Sequence, residues 1–497
     1  MHRIMQQTAN LSDKTSVGTS EMKRLTTLIL GGILCLSFAS CELLEPGDIV
    51  NPNVDEEAFL QSPNAMQTWV NGTEKNFALG IGAYCQLMEI LSDNYYNNYS
   101  RSSNVFDFPR LLGTDDDVKD LQRYVGNMRE AADYAFNKVA RYDKNFTDEE
   151  KFKLYYIKAY SFILSGEHFT GLPITDGGEV KPWNEHLQLA LANLDHALPL
   201  AGADADRAFI HTLKARTYYR LGDKANAVAE AEASLTASAD YVKQVVFDGD
   251  NGVNNVAQEA IWGNWFQPLP RLDFLDPKYF MIKSNEQRPI CIAKAEENHL
   301  ILAEAALADG NVTDAKQILH RLLALVNARP VQTNLDDHLE GRFNGGTKHY
   351  PNSSEYVVAA SSDDPFRSGL VLGRQTPHLI SVPYISGTSV SGDMIDRCTT
   401  VDETLELVYL MRQEIFMAEG RRVADLGIRM PVGDVEAAHT PSARGYTEAL
   451  IPPFIPLNHG LDDFTMDEAT RRVTITYNMN RVIVKNKNSE YVAPFFH

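Results

Sequence analysis

The chain has 497 residues, of which 44% are hydrophobic, and a formal net charge of -20 from 46 Lys and Arg against 66 Asp and Glu. This length suffices for two ordinary domains or one large one, and the composition is that of a globular protein, which excludes many membrane spans. So acidic a chain repels nucleic acid and anionic lipid surfaces, and we expect neither as a partner.

The N-terminal region predicts export and a lipid anchor. Residues 22–24 are a short basic stretch, and residues 25–38 form a mostly apolar run that is too short for a convincing membrane span. Two small residues then precede Cys41, a pattern typical of a bacterial lipoprotein signal, although Phe38 departs from the usual aliphatic residue. An ordinary secretory signal, cut near Ala39, is the alternative.

This signal divides the chain. Residues 1–21 are predicted to be an upstream extension, residues 22–40 the signal peptide and residues 42–55 a polar tether. Acyl chains on Cys41 would anchor the protein firmly, because each buried CH₂ adds about 0.8 kcal/mol of membrane affinity. Three of the five cysteines lie beyond the signal, and their odd number and wide spacing predict no disulfide framework.

Two helical stretches come next, with a polar segment between them. Apolar residues recur at helical spacing over residues 56–84 and again over 118–140. Residues 92–108 are rich in Asn, Ser and Tyr and have no helical period, which predicts a loop or a set of turns. Asp115 to Asp117 are expected to cap the second helix rather than to bind calcium, because carboxylates are stabilised at a helix N-terminus.

A helical hairpin is clearest over residues 295–329. Apolar positions at helical spacing run to Leu307, and Gly310 follows, where a left-handed residue ends a helix with least strain. Asn311 is suited to cap a second helix, whose apolar period restarts at Ala315. This pattern predicts two helices joined by a tight turn.

The same spacing recurs elsewhere in the chain. The spacing of an Ala, an apolar residue and a Gly is found again in the stretch that ends at Gly222, where Asp223 is the next cap. The first half of the pattern is found once more in the stretch that ends at Gly166. Recurring helix pairs indicate stacked hairpins of the tetratricopeptide type. We therefore predict such hairpins over about residues 149–235 and 295–329.

The rest of the chain is less regular. Residues 330–400 are rich in Gly, Ser and Pro and are too long for a plain loop, so we predict an irregular insertion with short strands. Residues 404–426 have a strongly helical pattern. Residues 261–262 are predicted as a short strand, and residues 473–478 with 481–484 as a C-terminal β-hairpin.

Two stretches carry a resemblance to a known family. Residues 295–305 are similar to the pattern E-x-x-L-x-x-A-E-A, and residues 412–426, RQEIFMAEGRRVADL, to R-x-x-E-(x)-x-x-E-G-x-R-x-x-D-L. Together with the lipoprotein signal, they resemble the SusD/RagB family of surface lipoproteins, which capture nutrients for a TonB-dependent outer-membrane transporter. That family's usual closing Asn-Pro motif is absent here. The matching positions of the second pattern are Arg412, Glu414, Glu419, Gly420, Arg422, Asp425 and Leu426.

The resemblance implies a mainly α fold, in which tetratricopeptide-like helical hairpins are combined with an irregular, loop-rich half that carries short strands. It implies a single domain over residues 56–497, with the signature helix at 404–428. The hairpins would form a scaffold that meets the transporter, and loops of the irregular half would hold the ligand, a glycan or in some members a peptide. The irregular half is expected at residues 92–117, 245–290, 330–400 and 430–497.

Aromatic and polar residues of the segment 92–108 are the predicted ligand contacts. A sugar ring stacks its C–H face on an aromatic plane, while amide and guanidinium groups hydrogen-bond its hydroxyls. The alternative is that the tyrosines pack beneath the loop and cap helix ends. Trp265 comes from a second aromatic patch, in which Trp262 is expected to be core, and Trp183 is a weaker third candidate. The candidates in the segment are Tyr95, Tyr96, Asn97, Asn98, Tyr99, Arg101 and Asn104.

The signature residues predict a structural clasp rather than a catalytic pair. Glu414 and Glu419 can form a network with the arginines that follow, and Arg422 can pair with Asp425 at i,i+3. The sequence has no motif for a nucleophile, a phosphate-binding loop or a paired-cysteine zinc site, so we expect no catalysis, metal or cofactor. A lipid-anchored glycan-degrading enzyme and a tetratricopeptide-type scaffold that binds only proteins remain as alternatives.

Overall fold

The computed structural model describes residues 55–97, 104–262, 265–280, 285–336, 349–374, 379–457 and 460–497. The chain divides into two compact units, Met1–Leu60 and Gln61–His497. The first contributes the short helix Glu56–Leu60 to the described residues. Every other element named below lies in the second unit.

Helices dominate the second unit, which confirms the predicted mainly α class. The long helices are α1 (Ala65–Leu91), α2 (Asp116–Tyr134), α3 (Asp148–His168), α4 (Trp183–Ala197), α5 (Asp204–Arg220), α6 (Lys224–Ala237), α7 (Glu296–Ala308), α8 (Val312–Ala328) and α9 (Val401–Ile415). The short α-helices are Asn104–Asp107, Ala140–Tyr142, Val256–Trp262, Gly392–Arg397, Arg422–Asp425, Asp434–His439 and Met479–Lys485. A π turn spans Ala135–Val139, and 3₁₀ turns span Leu198–Leu200, Gly249–Asn251, Pro270–Tyr279 and Pro441–Tyr446.

The predicted helical hairpins are present. Helices pack in consecutive pairs, α3 with α4, α5 with α6 and α7 with α8, and α7 also packs against α6 and α9. Gly222 (φ 73°) and Gly310 (φ 75°) have the left-handed conformation expected of them. Asp223 and Asn311 then cap α6 and α8, each accepting the N–H of the residue three positions on. Asp115 likewise caps α2 by accepting from the N–H of Asp117.

The third copy of the repeat does not end as predicted. Helix α3 continues through Gly166 to His168, so Gly166 is not a turn residue. A Cβ at this position would lie 2.6 Å from Leu187 Cγ and 2.7 Å from the carbonyl oxygen of Trp183. The glycine is therefore explained by the close approach of α4 to α3 rather than by a left-handed turn.

The strands form small sheets at the margins of the helices. They are β1 (Tyr95–Asn97), β2 (Gly171–Pro173), β3 (Val180–Pro182), β4 (Val242–Val245), β5 (Phe266–Pro268), β6 (Ile290–Lys294), β7 (Val331–Asp336), β8 (Val357–Ala359), β9 (Leu379–Pro383), β10 (Phe464–Asp467) and β11 (Arg472–Ile475). Antiparallel pairs join β1 to β5, β2 to β3, β4 to β6 and β7 to β9. A three-stranded sheet has the order β10-β11-β8, with β8 parallel to β11.

Two strand predictions were wrong. Residues 261–262 belong to the helix Val256–Trp262, because a short apolar run does not distinguish a strand from a buried helix. Residues 481–484 lie in the helix Met479–Lys485, which begins where the side chain of Asn478 accepts the N–H of Arg481. Strand β11 instead pairs back with β10.

The predicted signature helix, residues 404–428, is broken. Helix α9 covers its first part, and the helix Arg422–Asp425 follows only after a turn. Ala418 (φ 59°) and Gly420 (φ 68°) are left-handed within this turn, and a right-handed helix cannot continue through them. The thiol of buried Cys85, on α1, donates to the carbonyl oxygen of Ala418 at 3.0 Å. The turn therefore packs directly against α1.

Buried ion pairs tie this turn to distant parts of the chain. The guanidinium of Arg422 donates to both carboxylate oxygens of Asp93, at 2.7 and 3.1 Å. Asp425 accepts from Arg220 at 3.0 Å and lies 3.7 Å from Arg412. The predicted Arg422–Asp425 pair was therefore wrong, because the fold brings each side chain a closer partner from elsewhere. The predicted network of Glu414 and Glu419 with the arginines that follow was also wrong, because Arg421 pairs with Glu297 and Arg422 with Asp93.

Glu419 lies at the centre of a second buried ionic cluster. One of its carboxylate oxygens accepts from Lys278 at 2.5 Å and from Lys294 at 2.7 Å. Lys294, which is fully buried, also donates to the carbonyl oxygens of Ile385 and Ile415, each at 2.8 Å. Because buried charges are stable only when paired and hydrogen-bonded, this cluster fixes the position of the turn.

Candidate functional site

The first three predicted contact residues form strand β1. Tyr95, Tyr96 and Asn97 pair with Pro268, Gln267 and Phe266 of β5 in antiparallel register. The hydroxyl of Tyr96 hydrogen-bonds to the side-chain oxygen of Gln267 at 2.8 Å. All three residues of β1 are buried, with at most 3% of their surface exposed. Their side chains therefore offer no open surface to a ligand in this structure.

The remaining candidates of the polar segment fall largely outside the described residues. Asn98, Tyr99 and Arg101 lie in the undescribed stretch 98–103. Asn104 begins the short helix Asn104–Asp107. Cys41, the predicted lipidation site, also lies outside the described residues.

Trp265 is an exposed aromatic residue at the start of β5. Its side chain is 45% exposed, and its backbone N–H donates to the carbonyl oxygen of Ala260 at 3.1 Å. The next residue, Phe266, is buried and lies opposite Asn97. Trp265 is therefore held at the same sheet end from which residues 98–103 continue. Its exposed indole provides a flat apolar surface.

A cleft of about 330 Å³ lies elsewhere in the irregular part of the chain. It is bordered by the 3₁₀ turn Pro270–Tyr279, residues 360–367, the helix Gly392–Arg397, helix α9 and the residues that begin the helix Met479–Lys485. Leu407 and Leu410 form an apolar part of its wall. Amide, carboxylate and guanidinium groups make up much of the remainder.

One arginine organises the polar side of the cleft. Arg481 donates to Asp364 at 2.6 Å and to both oxygens of Glu406 at 3.1 Å. Asn478 donates to the same Glu406 carboxylate at 3.0 Å. Partial burial raises the pKa of Asp364, but hydrogen bonds and the charge of Arg481 outweigh it, so the net pKa is lowered. This carboxylate therefore stays ionised at neutral pH and serves as a hydrogen-bond acceptor.

A second arginine of the cleft is unpaired. Arg271 is only 7% exposed, yet its guanidinium has no hydrogen bond or ion pair with any residue that the structure describes. Burial lowers its pKa, and the carboxylates of Glu414 and Asp93 only partly oppose this effect. Arg367, on the opposite stretch, donates to the carbonyl oxygen of Ser389 at 2.7 Å. The cleft thus presents guanidinium donors beside fixed acceptors.

An aromatic side chain stands next to this cleft. Phe366 is 41% exposed, and its chain neighbours Pro365 and Arg367 both line the cleft. The guanidinium of Arg472 lies 4.9 Å from the centre of the Phe366 ring. This contact fixes the ring and leaves part of it open. An apolar plane and a set of polar groups are therefore close together.

Solved structures share this architecture at low sequence identity. A SusD-like protein from Bacteroides fragilis NCTC 9343 aligns with a TM-score of 0.50 at 11% identity, covering 78% of this chain and 98% of its own. The chain has the SusD-like fold. Two proteins from Bacteroides vulgatus ATCC 8482 align with lower TM-scores. A SusD superfamily protein has a TM-score of 0.49 at 12% identity and covers 77% of this chain and 98% of its own. A SusD-like carbohydrate binding protein has a TM-score of 0.46 at 11% identity and covers 73% of this chain and 82% of its own.

The likeness to the Bacteroides fragilis protein confirms the fold that the sequence resemblance implied. No family model matches the chain, and no curated protein matches it in sequence. Among the described residues, no helix combines the length and the apolar character needed to cross a membrane.

The third predicted aromatic, Trp183, lies on the helical side of the SusD-like fold. The guanidinium of Arg429 stacks on its half-buried ring, 4.1 Å from the ring centre. Trp183 and Arg429 line a separate cleft of about 310 Å³ together with Tyr491 and the C-terminal His497. Because Arg429 already covers the indole, this ring is less available for stacking than Trp265.

The polar cleft was missed from the sequence. Its groups come from positions as far apart as Arg271 and Arg481, and no local spacing connects them. The one local signal was the aromatic Phe366 within the Gly-, Ser- and Pro-rich stretch 330–400, which the sequence marked as irregular.

Proposed function

We propose that this chain is a non-catalytic glycan-binding protein of the cell surface, and that the polar cleft is its principal binding site. The observation that carries the proposal is the arrangement of the cleft, in which Arg481, Asp364 and Glu406 form a fixed hydrogen-bonding network beside an apolar wall. Sugar hydroxyls both donate and accept, so they need acceptors and donors held in place together.

Two exposed aromatic rings add proposed stacking surfaces, one beside the cleft and one apart from it. Phe366 beside the cleft and Trp265 at the end of β5 offer planes on which sugar C–H faces can stack. Asn98, Tyr99 and Arg101 continue from the same sheet end as Trp265, and we retain them as proposed contacts.

The proposed setting follows from the N-terminal signal and the signature helix. Acylation of Cys41 would tether the chain to the outer membrane, facing the exterior. The helical hairpins would meet a TonB-dependent transporter, which would receive the glycan. Co-purification of the protein with such a transporter from the outer membrane tests this part, and recovery only from the cytosol would contradict it.

A glycan array followed by titration calorimetry tests the binding function. We expect at least one glycan to bind, and Phe366→Ala or Trp265→Ala to weaken it by about tenfold, equivalent to about 1.4 kcal/mol. Tyr142→Ala is the matched control, because Tyr142 is an aromatic residue at the end of a helix and is somewhat more exposed (55%) than Trp265 and Phe366. Binding that is unchanged in both aromatic variants, or lowered equally in the control, would contradict the proposed surface.

A further inference from the structure

Arg271 is a buried cation whose partner is missing from the described protein. Long charged side chains are almost never buried unless they are paired, because moving an unpaired charge out of water costs several kcal/mol. Arg271 is 7% exposed, and no hydrogen bond or ion pair joins its side chain to any described residue. Its guanidinium nonetheless lines the cleft, where a bound ligand can reach it.

The two carboxylates whose charges act on Arg271, Asp93 and Glu414, are already engaged. Asp93 is held by the bidentate contact with Arg422 and by Gln413 at 2.8 Å. Glu414 accepts from the Ser389 N–H, the Ser389 hydroxyl and the Thr388 hydroxyl, at 2.8, 2.5 and 2.7 Å. Neither acid comes within ion-pair distance of Arg271, so neither replaces the missing partner.

The other charges of the cleft leave it locally cationic. Four arginines and three carboxylates line it, which gives the lining a formal charge of +1. Asp364 and Glu406 share Arg481 as their ion-pair partner, and the third carboxylate, Glu403, caps the N-terminus of α9. Two more guanidiniums, Arg367 and Arg397, line the cleft and form no ion pair within the described part of the chain. Such a cationic cleft is unexpected in a chain whose net charge is -20. It attracts an anion where the rest of the surface repels one.

We propose that the cleft recognises an acidic glycan, and that Arg271 binds the carboxylate of a hexuronic acid residue through two parallel N–H···O hydrogen bonds. The planar guanidinium matches a carboxylate in this geometry, and the contact supplies the counter-charge that Arg271 lacks. Hydroxyls of the same sugar are left to the Arg481 network. This inference rests on the proposed glycan-binding function and specifies its ligand class.

The test compares acidic oligosaccharides with their carboxyl-reduced counterparts, which keep the sugar skeleton and lose the charge. Oligomers of galacturonic, glucuronic and mannuronic acid serve as probes, with sulfated oligosaccharides included to separate the two anion types. We expect the protein to bind at least one hexuronic oligomer about tenfold to a hundredfold more tightly than its reduced form.

Arg271→Met is the decisive variant. Methionine fills much of the same apolar volume, so we expect its thermal stability to equal or exceed that of the wild type, since an unpaired buried charge is removed. The preference for the acidic form should disappear, with affinity for the reduced form unchanged. Arg271→Lys keeps the charge without the planar fork, and it should lose about tenfold in affinity for the acid. It provides the same test if the methionine variant does not fold.

The outcomes separate the two proposals. Equal binding of acidic and reduced forms by the wild type, or an acid preference that survives both substitutions, overturns the role of Arg271 and leaves glycan binding intact. Tighter binding of sulfated than of hexuronic oligomers overturns the choice of carboxylate. Binding of no glycan on the array contradicts the proposed function itself.

Discussion

Replacement of Glu419 by Gln tests how the signature turn is held. Glu419 is the shared acceptor of Lys278 and Lys294, at 2.5 and 2.7 Å, and all three side chains are at most 7% exposed. Glu419→Gln keeps the shape and removes the charge, so two buried ammonium groups lose their counter-ion. We therefore expect the free energy of unfolding to fall.

The size of this loss follows from the remaining partners. Removing one member of a buried ion pair costs about 3–5 kcal/mol. Lys294 keeps two carbonyl acceptors, and Lys278 keeps the carbonyl oxygen of Met417 at 3.0 Å. Because these contacts offset part of the loss, we expect about 3 kcal/mol, the lower end of that range.

Urea unfolding followed by circular dichroism measures the effect. Asp402→Asn is the matched control, because Asp402 forms a 2.8 Å ion pair with Lys487 but is 62% exposed. Such surface pairs contribute about 1 kcal/mol or less. The result that would refute this reasoning is a loss of unfolding free energy in Glu419→Gln that is no larger than in the control, with the slope of that free energy against urea concentration unchanged. The buried Glu419 cluster would then not hold the turn.

Two further predictions concern backbone space and pH. Gly310→Ala should lower the free energy of unfolding by about 1 kcal/mol, because of the positive φ alone. Gly420→Ala should lower it by about 2–4 kcal/mol, because the added Cβ would also lie 3.0 Å from the backbone of Cys85. Equal losses in urea unfolding would contradict this difference. Burial lowers the pKa of His168 to about 3, so the unfolded chain, with a pKa near 6.5, takes up the proton first as pH falls. The contribution of His168 to the free energy of unfolding is therefore complete above about pH 6.5 and is lost as the pH falls toward 3. Between pH 6.5 and 5, the free energy of unfolding of the wild type should fall by about 2 kcal/mol more than that of His168→Phe. Parallel stability curves for the two proteins would show that His168 is not the cause.

Much of the helical scaffold could be predicted because its signals are local. Gly222 and Gly310 mark turns that depend on backbone conformation, and Asp223 and Asn311 mark caps three residues from their targets. The break in the signature helix could not be predicted in this way. Ala418 adopts φ 59° because contacts with α1 hold it there, and an alanine gives no local sign of this conformation.

The ligand-binding residues were harder to place than the fold. The composition of residues 92–108 indicated a loop, but Tyr95 and Tyr96 pair with β5 and are buried, which only the distant partner strand determines. Trp265 was predicted as part of a second aromatic patch, and its side chain is exposed. Nothing in the sequence indicated that Arg271 is unpaired, because four segments distant in the sequence surround its side chain and only the fold brings them together.

We expect the polar cleft to hold a glycan and to leave it chemically unchanged. Equilibrium dialysis of the protein against its strongest array glycan, with mass spectrometry of the glycan in both compartments, measures both properties together. We expect saturable accumulation of the intact glycan on the protein side. Shorter products on either side, or equal glycan concentrations in both compartments, would contradict it.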